Sequence, residues 1–396
     1  MPQAGGNLAE GRIDIAMRVL ALTPSRRGSS PGQRSSIELW DKVLAREGIA
    51  VEYAPFETDR LAEVLLQRGH ILVKAREMLR AYWRRLRLVR HIGNFDAVFV
   101  YREAALIGPA FLERLVVAAG KPLIYQLDDP LYIPYVSPSN GLFSYLKCFG
   151  KVATICRLSR VVIVNSRHHL EYAERHAKDV RVIPSVVDGE VYARAEAGKR
   201  GLVPHGVCVG WSGSTSSAPN LRLVEGPLRR LRERIDCRLH FIGVGESDLP
   251  DVGGTRQPWR AETEVEDLGQ LDIGLVPVLD TPWNRRKFYM KVVQYMALGI
   301  VPVATPLGSN PEVIAHGRNG FLADSAEDWL RFLETLATDT ELRTRMAREA
   351  VREAHSRYTL EANEARIVAA FRSALAERSA RPDDPGSSRA PGGSGS

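Results

Sequence analysis

Two lysines and a glutamine in the C-terminal half have the types and spacing of residues that bind an anion. Lys291, Gln294 and Tyr295 recur at intervals of three and four positions, which places them on one side of a helix that begins near Tyr289. A helix N-terminus offers free N–H groups and the positive end of its dipole, and Lys287 precedes Lys291 by one turn. The pattern predicts a diphosphate site, and the alternative is a pair of ordinary solvated surface charges.

Two polar glycine loops are further candidates for phosphate binding. Residues 210–215 follow a strand-like segment, and small side chains there let the backbone approach a ligand. The amides predicted to face phosphate are those of Gly213, Ser214 and Thr215. Residues 28–35 follow the first strand-like segment of the chain and contain Gly32 and Arg34, a cation that can pair with a phosphate oxygen. For this second loop the alternative is an ordinary polar connection between strand and helix.

The fold that must position these residues alternates short apolar strands with longer amphipathic segments. Such alternation predicts parallel sheets covered by helices on both faces. The predicted strands of the first half are 18–23, 51–54, 97–101, 123–127, 160–165 and 180–184. Those of the second half are 207–211, 238–242, 273–277 and 300–305. Two doubly wound domains of this kind place a ligand cleft at the carboxyl ends of their strands.

The chain length also favours two domains, because 396 residues exceed what one hydrophobic core usually serves. The predicted division is a disordered extension at 1–16, an N-terminal Rossmann-like domain at 17–190, a linker at 191–204, a C-terminal Rossmann-like domain at 205–355, a crossover helix at 356–378 and a disordered tail at 379–396. The helical stretch 341–375 is interrupted near 356–359 and therefore predicts two helices. The tail consists of Pro, Gly, Ser and charged residues, which bury too little apolar surface to become ordered.

Composition narrows the class of protein. The longest apolar runs, such as 161–164 and 300–304, are far shorter than the roughly 20 residues that cross a bilayer. The four cysteines form no Cys-x-x-Cys pair, which argues against a disulfide framework or zinc site and favours a reducing cytoplasm. The net charge of +7 favours anionic partners, namely nucleotide phosphates, acidic lipid surfaces or nucleic acid.

One long segment, 280–312, resembles the donor-binding block of family-4 glycosyltransferases (glycosyl transferases group 1). Its sequence is DTPWNRRKFYMKVVQYMALGIVPVATPLGSNPE. The resemblance continues in residues 314–322, 210–215, 102–104 and 128–130, and it therefore spans roughly residues 17–375. It implies the GT-B fold, in which two doubly wound Rossmann-like domains face a cleft and the C-terminal helices return to the N-terminal domain. The N-terminal domain is then the acceptor domain, and the C-terminal domain binds the nucleotide-sugar donor.

The resemblance also implies an activity: transfer of a sugar from a nucleotide-diphosphate-sugar donor to an acceptor, with retention of anomeric configuration. The enzyme is expected to be hexosyltransferase-like and to use no metal and no cofactor, since no Asp-x-Asp metal motif of the kind other transferases use is recognisable. A polysaccharide, a lipid-linked glycan and a small natural product remain open as acceptors, and polysaccharide biosynthesis is the expected process. The alternatives are a nucleotide-sugar epimerase of the same fold and a catalytically silent partner that binds a membrane or a glycan.

The resemblance assigns roles to individual residues of the donor domain. Two glutamates eight positions apart mark the common family pattern, and here Gln294 and Arg286 stand in their places. Gln294 occupies the position that holds the donor ribose, whereas Arg286 replaces the glutamate that meets the donor sugar. A related subgroup carries Lys and Gln at the positions of Lys291 and Gln294. The segment 259–267, which begins with Trp259, resembles the region that cradles the nucleobase, although acidic residues there also suit a first helical turn.

Four charged residues of the acceptor domain are the predicted catalytic group: Asp128, Asp129, Glu103 and Arg102. Each follows a predicted strand and so faces the cleft. Asp128 stands where many family members have histidine, and an aspartate there can hydrogen-bond a donor hydroxyl or support the cationic sugar of the transition state. Capping of a helix is the alternative for Asp129. Arg102 and Glu103 are expected to contact the acceptor or to form an ion pair across the cleft.

The stretch from Arg68 to Arg90 contains eight cations and one acidic residue, interleaved with apolar residues at helical spacing. A helix of this kind can lie on an anionic membrane, which suits a lipid-linked acceptor. The alternative is a solvated helix face, while nucleic-acid binding is disfavoured because no aromatic stacking platform accompanies the charge. The predicted location is therefore the cytoplasm, with association at the inner membrane face.

Overall fold

The computed structural model describes residues 17–65, 67–136, 140–199, 206–245 and 252–375. The predicted extension at 1–16 and the predicted tail at 379–396 lie outside the described residues.

The first sheet has six parallel strands in the order β2-β1-β3-β4-β5-β6. They are β1 (Met17–Thr23), β2 (Ile49–Pro55), β3 (Ala97–Tyr101), β4 (Leu123–Leu127), β5 (Val161–Val164) and β6 (Val180–Val182). β3, β4 and β5 are buried along their whole length, whereas the edge strand β6 is partly exposed. Strands covered on both faces form continuous apolar runs, which explains why the strands of this sheet could be predicted from the sequence.

The second sheet also has six parallel strands, in the order β12-β11-β10-β7-β8-β9. They are β7 (Val207–Ser212), β8 (Cys237–Ile242), β9 (Thr255–Gln257), β10 (Ile273–Val276), β11 (Val301–Ala304) and β12 (Phe321–Leu322). All ten predicted strands are present in the two sheets, and β9 and β12 were missed. These two have three and two residues, too few for any periodicity to show.

Helices cover both sheets. Those before the second sheet are α1 (Pro31–Gln33), α2 (Leu39–Arg46), α3 (Asp59–Val64), α4 (Ile71–Val89), α5 (Phe111–Ala118), α6 (Lys151–Leu158), α7 (Arg167–Ala173) and α8 (Gly189–Lys199). The later helices are α9 (Glu225–Arg234), α10 (Glu264–Leu268), α11 (Met290–Ala297), α12 (Asn310–Val313), α13 (Ala326–Thr338), α14 (Thr340–Arg357) and α15 (Leu360–Leu375). The predicted linker, 191–204, overlaps α8, and its last residues lie outside the described part of the chain.

The last helix, α15, packs on the first domain, as the GT-B resemblance implied. Ile367 and Phe371 are fully buried in the core that covers one face of the first sheet. The Phe371 ring stacks on Phe99 of β3, with 5.6 Å between ring centroids. The chain leaves the first domain near Val187 and returns to it near Thr359. These two crossing points lie side by side, because Val187 and Thr359 form a parallel bridge.

Helix α4 packs in a way that the sequence did not indicate. Arg85, which is buried, faces the protein and donates to the carbonyl oxygens of Ala104, Ala54 and Thr23 at 3.1, 2.6 and 2.8 Å. Lys74 likewise donates to Asn140 Oδ1 at 2.8 Å. Since Arg84 also donates to backbone carbonyls, three of the eight predicted surface cations bind the protein itself. The predicted basic helix therefore presents fewer than eight cations to solvent or to a membrane.

No helix in the described part of the chain is long and apolar enough to cross a membrane. Within the same ranges, no three His, Cys, Asp or Glu side chains are grouped as a metal site requires.

Candidate active site

The carboxyl ends of the strands in both sheets face a common cleft, and side chains from the two domains meet across it. Lys287 Nζ lies 3.8 Å from Asp129 Oδ1. Arg34 forms an ion pair with Glu264 of α10. The rings of Tyr135 and Trp283 approach to 5.5 Å between centroids. Parallel strands place their following loops at one edge, so loops distant in sequence converge here.

The floor of the cleft on the N-terminal side is a hydrogen-bonded network at the ends of β3 and β4. Arg102 donates from Nε to Asp128 Oδ1 at 2.7 Å and from Nη2 to Asp128 Oδ2 at 3.1 Å. The same Nη2 lies 2.7 Å from Asp129 Oδ2, and the Tyr101 hydroxyl donates to Asp128. Arg102 holds this position with a left-handed backbone, φ 63°, which is uncommon for a residue other than glycine. Strain of this kind persists where surrounding contacts fix it, and it is frequent at functional sites.

Gly32 packs directly on this network. A Cβ atom at this position would lie 2.6 Å from the Tyr101 hydroxyl and 2.8 Å from Arg102 Nη2. Real Cβ atoms do not approach so closely, so only glycine lets the loop after β1 lie over Asp128. The loop therefore covers the carboxylate network, and the predicted contact of Gly32 with phosphate stays a prediction.

Asp129 is held as a carboxylate by the cations around it. Burial raises its pKa, but the charges of Arg102 and Lys287 outweigh burial, and the net result is a pKa below the ordinary value. Neighbouring His169 is fully buried, and burial lowers its pKa to about 4, so it is neutral at physiological pH. Its Nδ1 lies 2.9 Å from Asn165 Oδ1, while its Nε2 is buried without a hydrogen-bond partner among the described residues. Asn165 in turn donates to the backbone oxygen of Asp128 at 3.2 Å.

Glu103 lies at the base of an open part of the cleft. Its carboxylate pairs with Lys151 Nζ at 2.7 Å, and both side chains are almost completely buried. A small open part of the cleft lies above this ion pair. Its walls include three aromatic residues, Tyr135, Phe149 and Trp283, of which Trp283 comes from the C-terminal domain. Aromatic faces beside a buried ion pair form a surface with both apolar and hydrogen-bonding character, which suits a sugar or another polyhydroxylated molecule.

Arg34 joins the glycine loop to the region predicted to bind the nucleobase. Besides its ion pair with Glu264, its guanidinium stands over the Trp259 ring, 5.1 Å from the centroid. Trp259 Nε1 donates to Glu264 Oε1 at 3.1 Å. Arg34, Trp259 and Glu264 thus form one cluster across the cleft, in which the cation is paired with a protein carboxylate.

Lys291 is partly buried at the start of α11. Its ammonium lies 4.4 Å from the centroid of the Trp211 ring. Burial, reinforced by the charge of Lys287, lowers the pKa of Lys291 to about 7. The other side of α11 is formed by Val292, Val293, Met296 and Ala297, which are all fully buried, as the sequence pattern predicted. The helix begins at Met290, whereas Lys287 lies before it and reaches the cleft from the preceding loop.

Gln294 lies one turn further along α11 and donates to the Tyr192 hydroxyl at 3.0 Å. The charge of Glu264 raises the pKa of Tyr192 and the charge of Arg34 lowers it, so Tyr192 lies near both residues. Gln294, which contacts Tyr192, is therefore close to the cluster of Arg34, Trp259 and Glu264. Arg286 lies elsewhere: its guanidinium donates to the Pro282 carbonyl oxygen at 3.3 Å, and its charge acts on Tyr132 of the N-terminal domain. The two residues that stand at the glutamate positions of the family pattern therefore face different parts of the cleft.

The amides after β7 differ from the prediction. Gly213 N donates to the Ile242 carbonyl oxygen at 3.0 Å, and Ser214 N donates to Ser217 Oγ at 3.1 Å. These two donors are therefore already bound within the chain, and the next helical element is a short 3-10 turn at Ala218–Leu223. Phosphate binding by this loop stays a prediction, and the sequence did not indicate the internal partners of two of its three amides.

Several residues of the cleft were not predicted as site residues. Tyr101, Lys151, His169, Tyr192, Trp283 and Glu264 all contact or neighbour the predicted group. Tyr101 ends strand β3, and that position is the signal that could have identified it, whereas His169 lies on helix α7. Lys151 and Tyr192 carry no such signal, because they reach the cleft from helices α6 and α8.

Two parallel six-stranded sheets that face one cleft, with a last helix that returns to the first domain, define the GT-B fold. Within it, residues 209–339 match the family described as Glycosyl transferases group 1. The resemblance read from the donor-binding block is thereby confirmed for the C-terminal domain, and the predicted fold class is confirmed for the chain as a whole.

Solved structures show the same fold at low sequence identity. Anabaena HepE in complex with UDP-glucose is 18% identical, with a TM-score of 0.65 over 90% of this chain and 100% of that one. Sucrose-phosphate synthase from Thermosynechococcus elongatus is 14% identical, with a TM-score of 0.64 over 91% and 99%. A UDP-forming α,α-trehalose-phosphate synthase from Burkholderia vietnamiensis is 11% identical, with a TM-score of 0.63 over 93% and 99%. No curated protein matches the chain significantly by sequence.

Proposed function

We propose that this protein transfers a sugar from a nucleotide-diphosphate-sugar donor to an acceptor held by the N-terminal domain. The observation that carries the proposal is the arrangement at Lys287, which crosses the cleft to Asp129 at 3.8 Å and stands close enough to Lys291 for their charges to interact. Two cations at the tip of a helix, opposite two carboxylates, suit a leaving diphosphate on one side and a cationic sugar on the other.

The donor residues follow from this arrangement. Lys287 and Lys291 neutralise the diphosphate, with help from Arg34 and from the loop of Gly32. In the structure Lys287 and Arg34 are paired with Asp129 and Glu264, so donor binding exchanges protein carboxylates for phosphate oxygens. An exchange of this kind leaves each cation paired throughout, which avoids the cost of an isolated charge in the cleft.

The remaining donor contacts are assigned by position. Gln294 holds the ribose, because an amide can accept one hydroxyl hydrogen bond and donate another. Trp259 stacks on the nucleobase or closes its pocket, and it lies within one cluster with Arg34. In the loop after β7, Thr215 is the remaining candidate for an amide contact, since Gly213 and Ser214 donate internally.

Asp128 and Asp129 act on the sugar. Asp128 accepts from Tyr101 and twice from Arg102, so it is fixed in orientation rather than serving as a mobile base. Two fixed carboxylates stabilise the positive charge that develops at the anomeric carbon as the diphosphate departs. Arg102 positions both of them. Glu103 and the aromatic walls above it bind the acceptor, and closure of the cleft excludes water.

The same arrangement supports the finer parts of the proposal. No step needs a metal or a cofactor, because the lysines supply the charge that a divalent cation supplies elsewhere. Retention of configuration follows the family resemblance. HepE was solved with UDP and with UDP-glucose, so UDP-glucose is the first donor to test.

Calorimetric titration with UDP tests the donor site. Wild-type protein is expected to bind UDP, and Lys287→Ala should weaken binding about tenfold or more, the effect of one charged hydrogen bond. Lys178→Ala, a change at an exposed lysine of the N-terminal domain, is the matched control and should bind as wild type does. Absence of UDP binding, and of binding by GDP and ADP, would instead favour the catalytically silent partner.

Incubation with UDP-glucose then separates the enzymatic alternatives. A transferase releases UDP when a suitable acceptor is supplied and leaves the sugar unchanged without one. Conversion of UDP-glucose to another nucleotide sugar in the absence of acceptor is the result that identifies an epimerase and contradicts the proposal.

A further inference from the structure

Helix α4 turns two charged side chains, Glu77 and Arg85, toward the protein and leaves part of its apolar surface exposed. Because Glu77, Ala81 and Arg85 face the protein, residues one half-turn away face solvent. Among these, Leu72, Leu79 and Trp83 are 86%, 63% and 62% exposed. Met78, Tyr82 and Leu86 of the same helix pack against the core. Leu72, Leu79 and Trp83 are the large apolar side chains that are left outside.

The exposed apolar side chains lie in one stripe with cations on its flank. Positions 72, 79 and 83 differ by seven and four residues, so they line one side of the helix. Arg76, Arg80 and Arg87 are exposed and fall within the same half of the helix surface. Arginine beside tryptophan and leucine is the composition of helices that lie in the headgroup region of a bilayer.

A second exposed apolar segment adjoins the N-terminal end of α4. Phe143, Tyr145 and Leu146 are 57%, 55% and 53% exposed in the 3-10 segment Gly141–Lys147. Lys74 of α4 joins the two elements, since it donates to Asn140 Oδ1 at 2.8 Å. Leu146 is also tied to the region next to α4, because its carbonyl oxygen accepts from Gly108 N at 2.6 Å. The 3-10 segment is thus a neighbour of the helix, and the outward stripe of Leu72, Leu79 and Trp83 with Arg76, Arg80 and Arg87 is here called the α4 surface.

We infer that the α4 surface docks on an anionic lipid bilayer and that the acceptor is a lipid-linked molecule taken up from that bilayer. The exposed arginines attract anionic headgroups, and Leu72, Leu79 and Trp83 enter the interface beneath them. The same 3-10 segment ends at Lys147, which lines the cleft beside Glu103 and Phe149, so the membrane surface and the acceptor cleft adjoin. Membrane binding is independent of the proposed transfer, whereas the lipid nature of the acceptor rests on it.

Vesicle sedimentation tests the docking directly. Wild-type protein should sediment with vesicles of phosphatidylcholine and phosphatidylglycerol at a ratio of about 7:3 and remain in solution with phosphatidylcholine alone. Each arginine near the surface strengthens binding by about fivefold, so R76Q/R80Q/R87Q should lower the partition coefficient by roughly 100-fold. L72S/L79S/W83S should lower it by about tenfold or more, because the apolar insertion is lost. All six positions are exposed, so the variants should keep the thermal stability of wild type.

The matched control is R222Q/R345Q/R348Q, which removes three exposed arginines from the C-terminal domain. It should bind vesicles as wild type does. Equal loss in this control means that net charge, not the α4 surface, attracts the lipid, and it overturns the inference. Failure of wild type to bind the anionic vesicles overturns it as well.

Two further measurements identify other occupants. Sedimentation equilibrium shows whether the α4 surface joins two copies of this chain. If wild type is a dimer that does not bind vesicles, and L72S/L79S/W83S is a monomer, the inference fails. UDP titration of each variant keeps the two proposals apart. Vesicle binding with no UDP binding leaves the docking intact and removes the transferase, while UDP binding without vesicle binding does the reverse.

Discussion

The affinity for UDP should depend steeply on pH through Lys291. In the free protein, burial lowers the pKa of this ammonium to about 7. A diphosphate binds the charged form, so above that pH the protein must take up a proton in order to bind. The affinity should then fall about tenfold for each pH unit, or roughly 50- to 100-fold between about pH 7 and about pH 9. Below about pH 7 the curve should flatten until the phosphate itself becomes protonated, near pH 6.

Calorimetry across this pH range measures the effect. Titrations in buffers of different ionisation enthalpy should show uptake of about one proton per UDP at about pH 8.5. Lys291→Met keeps the length of the side chain but removes its titration, so its weaker binding should no longer change over this range. Lys287→Ala should weaken binding yet keep the pH dependence, and it should move the break to higher pH, because Lys287 itself lowers the pKa of Lys291.

The result that refutes this reasoning is clear. UDP affinity that is constant from about pH 6.5 to about pH 9 in wild type means that Lys291 is either charged throughout or away from the phosphate. A pH dependence that survives in Lys291→Met assigns the proton to another group.

Three further predictions concern packing and the cleft. Gly32→Ala should reduce kcat strongly and also weaken UDP binding, because its Cβ would lie 2.6 Å from the Tyr101 hydroxyl and would displace the loop that helps to hold the diphosphate. Phe371→Ala should lower the free energy of unfolding by about 3–5 kcal/mol, measured by urea denaturation, since it empties a fully buried aromatic site. Glu264→Gln should change stability by less than about 1 kcal/mol but raise UDP affinity a few-fold, because Arg34 is released from its partly exposed ion pair.

Each of these has its own control or contrary outcome. Phe111, which is 49% exposed, provides the control for Phe371, and its change to alanine should cost less than about 1 kcal/mol. Unaltered kcat in Gly32→Ala means that the loop of Gly32 moves away from Asp128 during turnover. Weaker UDP binding by Glu264→Gln assigns the carboxylate to the ligand instead of to Arg34.

A second consequence of the pKa of Lys291 concerns stability. The unfolded chain binds more protons than the folded one between about pH 7 and about pH 10.5, so the free energy of unfolding rises with pH across this window. At neutral pH, Lys291→Met should therefore stabilise the free protein, by a few kcal/mol at most. Thermal unfolding of the two proteins at about pH 7 compares them, and a destabilised variant contradicts the assignment.

The sheets were predictable because buried parallel strands are short apolar runs separated by amphipathic helices. β3 (Ala97–Tyr101) and β4 (Leu123–Leu127) occur at the predicted bounds for that reason. The active-site loops were predictable because they follow such strands. The packing of α4 was not, because helical periodicity places Arg85 and Trp83 on different sides without telling which side is buried. Only the three carbonyl oxygens that receive Arg85 decide this, and they come from distant parts of the chain.

The ion pairs of the cleft could not be read from the sequence either. Lys287 and Arg34 were predicted to meet phosphate, and in the structure each meets a carboxylate of the opposite domain. Such pairing depends on how closely the domains approach, which no local pattern records. The internal bonds of Gly213 and Ser214 are a smaller case, since Ile242 lies on the neighbouring strand β8.

The return of α15 to the first sheet has a consequence for dissecting the molecule. The chain passes between the lobes twice at adjoining points, Val187 and Thr359, so a cut at one of them does not separate independent folding units. A fragment ending near residue 187 would expose Phe99 and the surface on which Phe371 stacks, and it should aggregate unless the α15 peptide is supplied in trans. The affinity of that peptide for the fragment, measured by fluorescence or calorimetry, gives the free energy with which α15 binds the first domain.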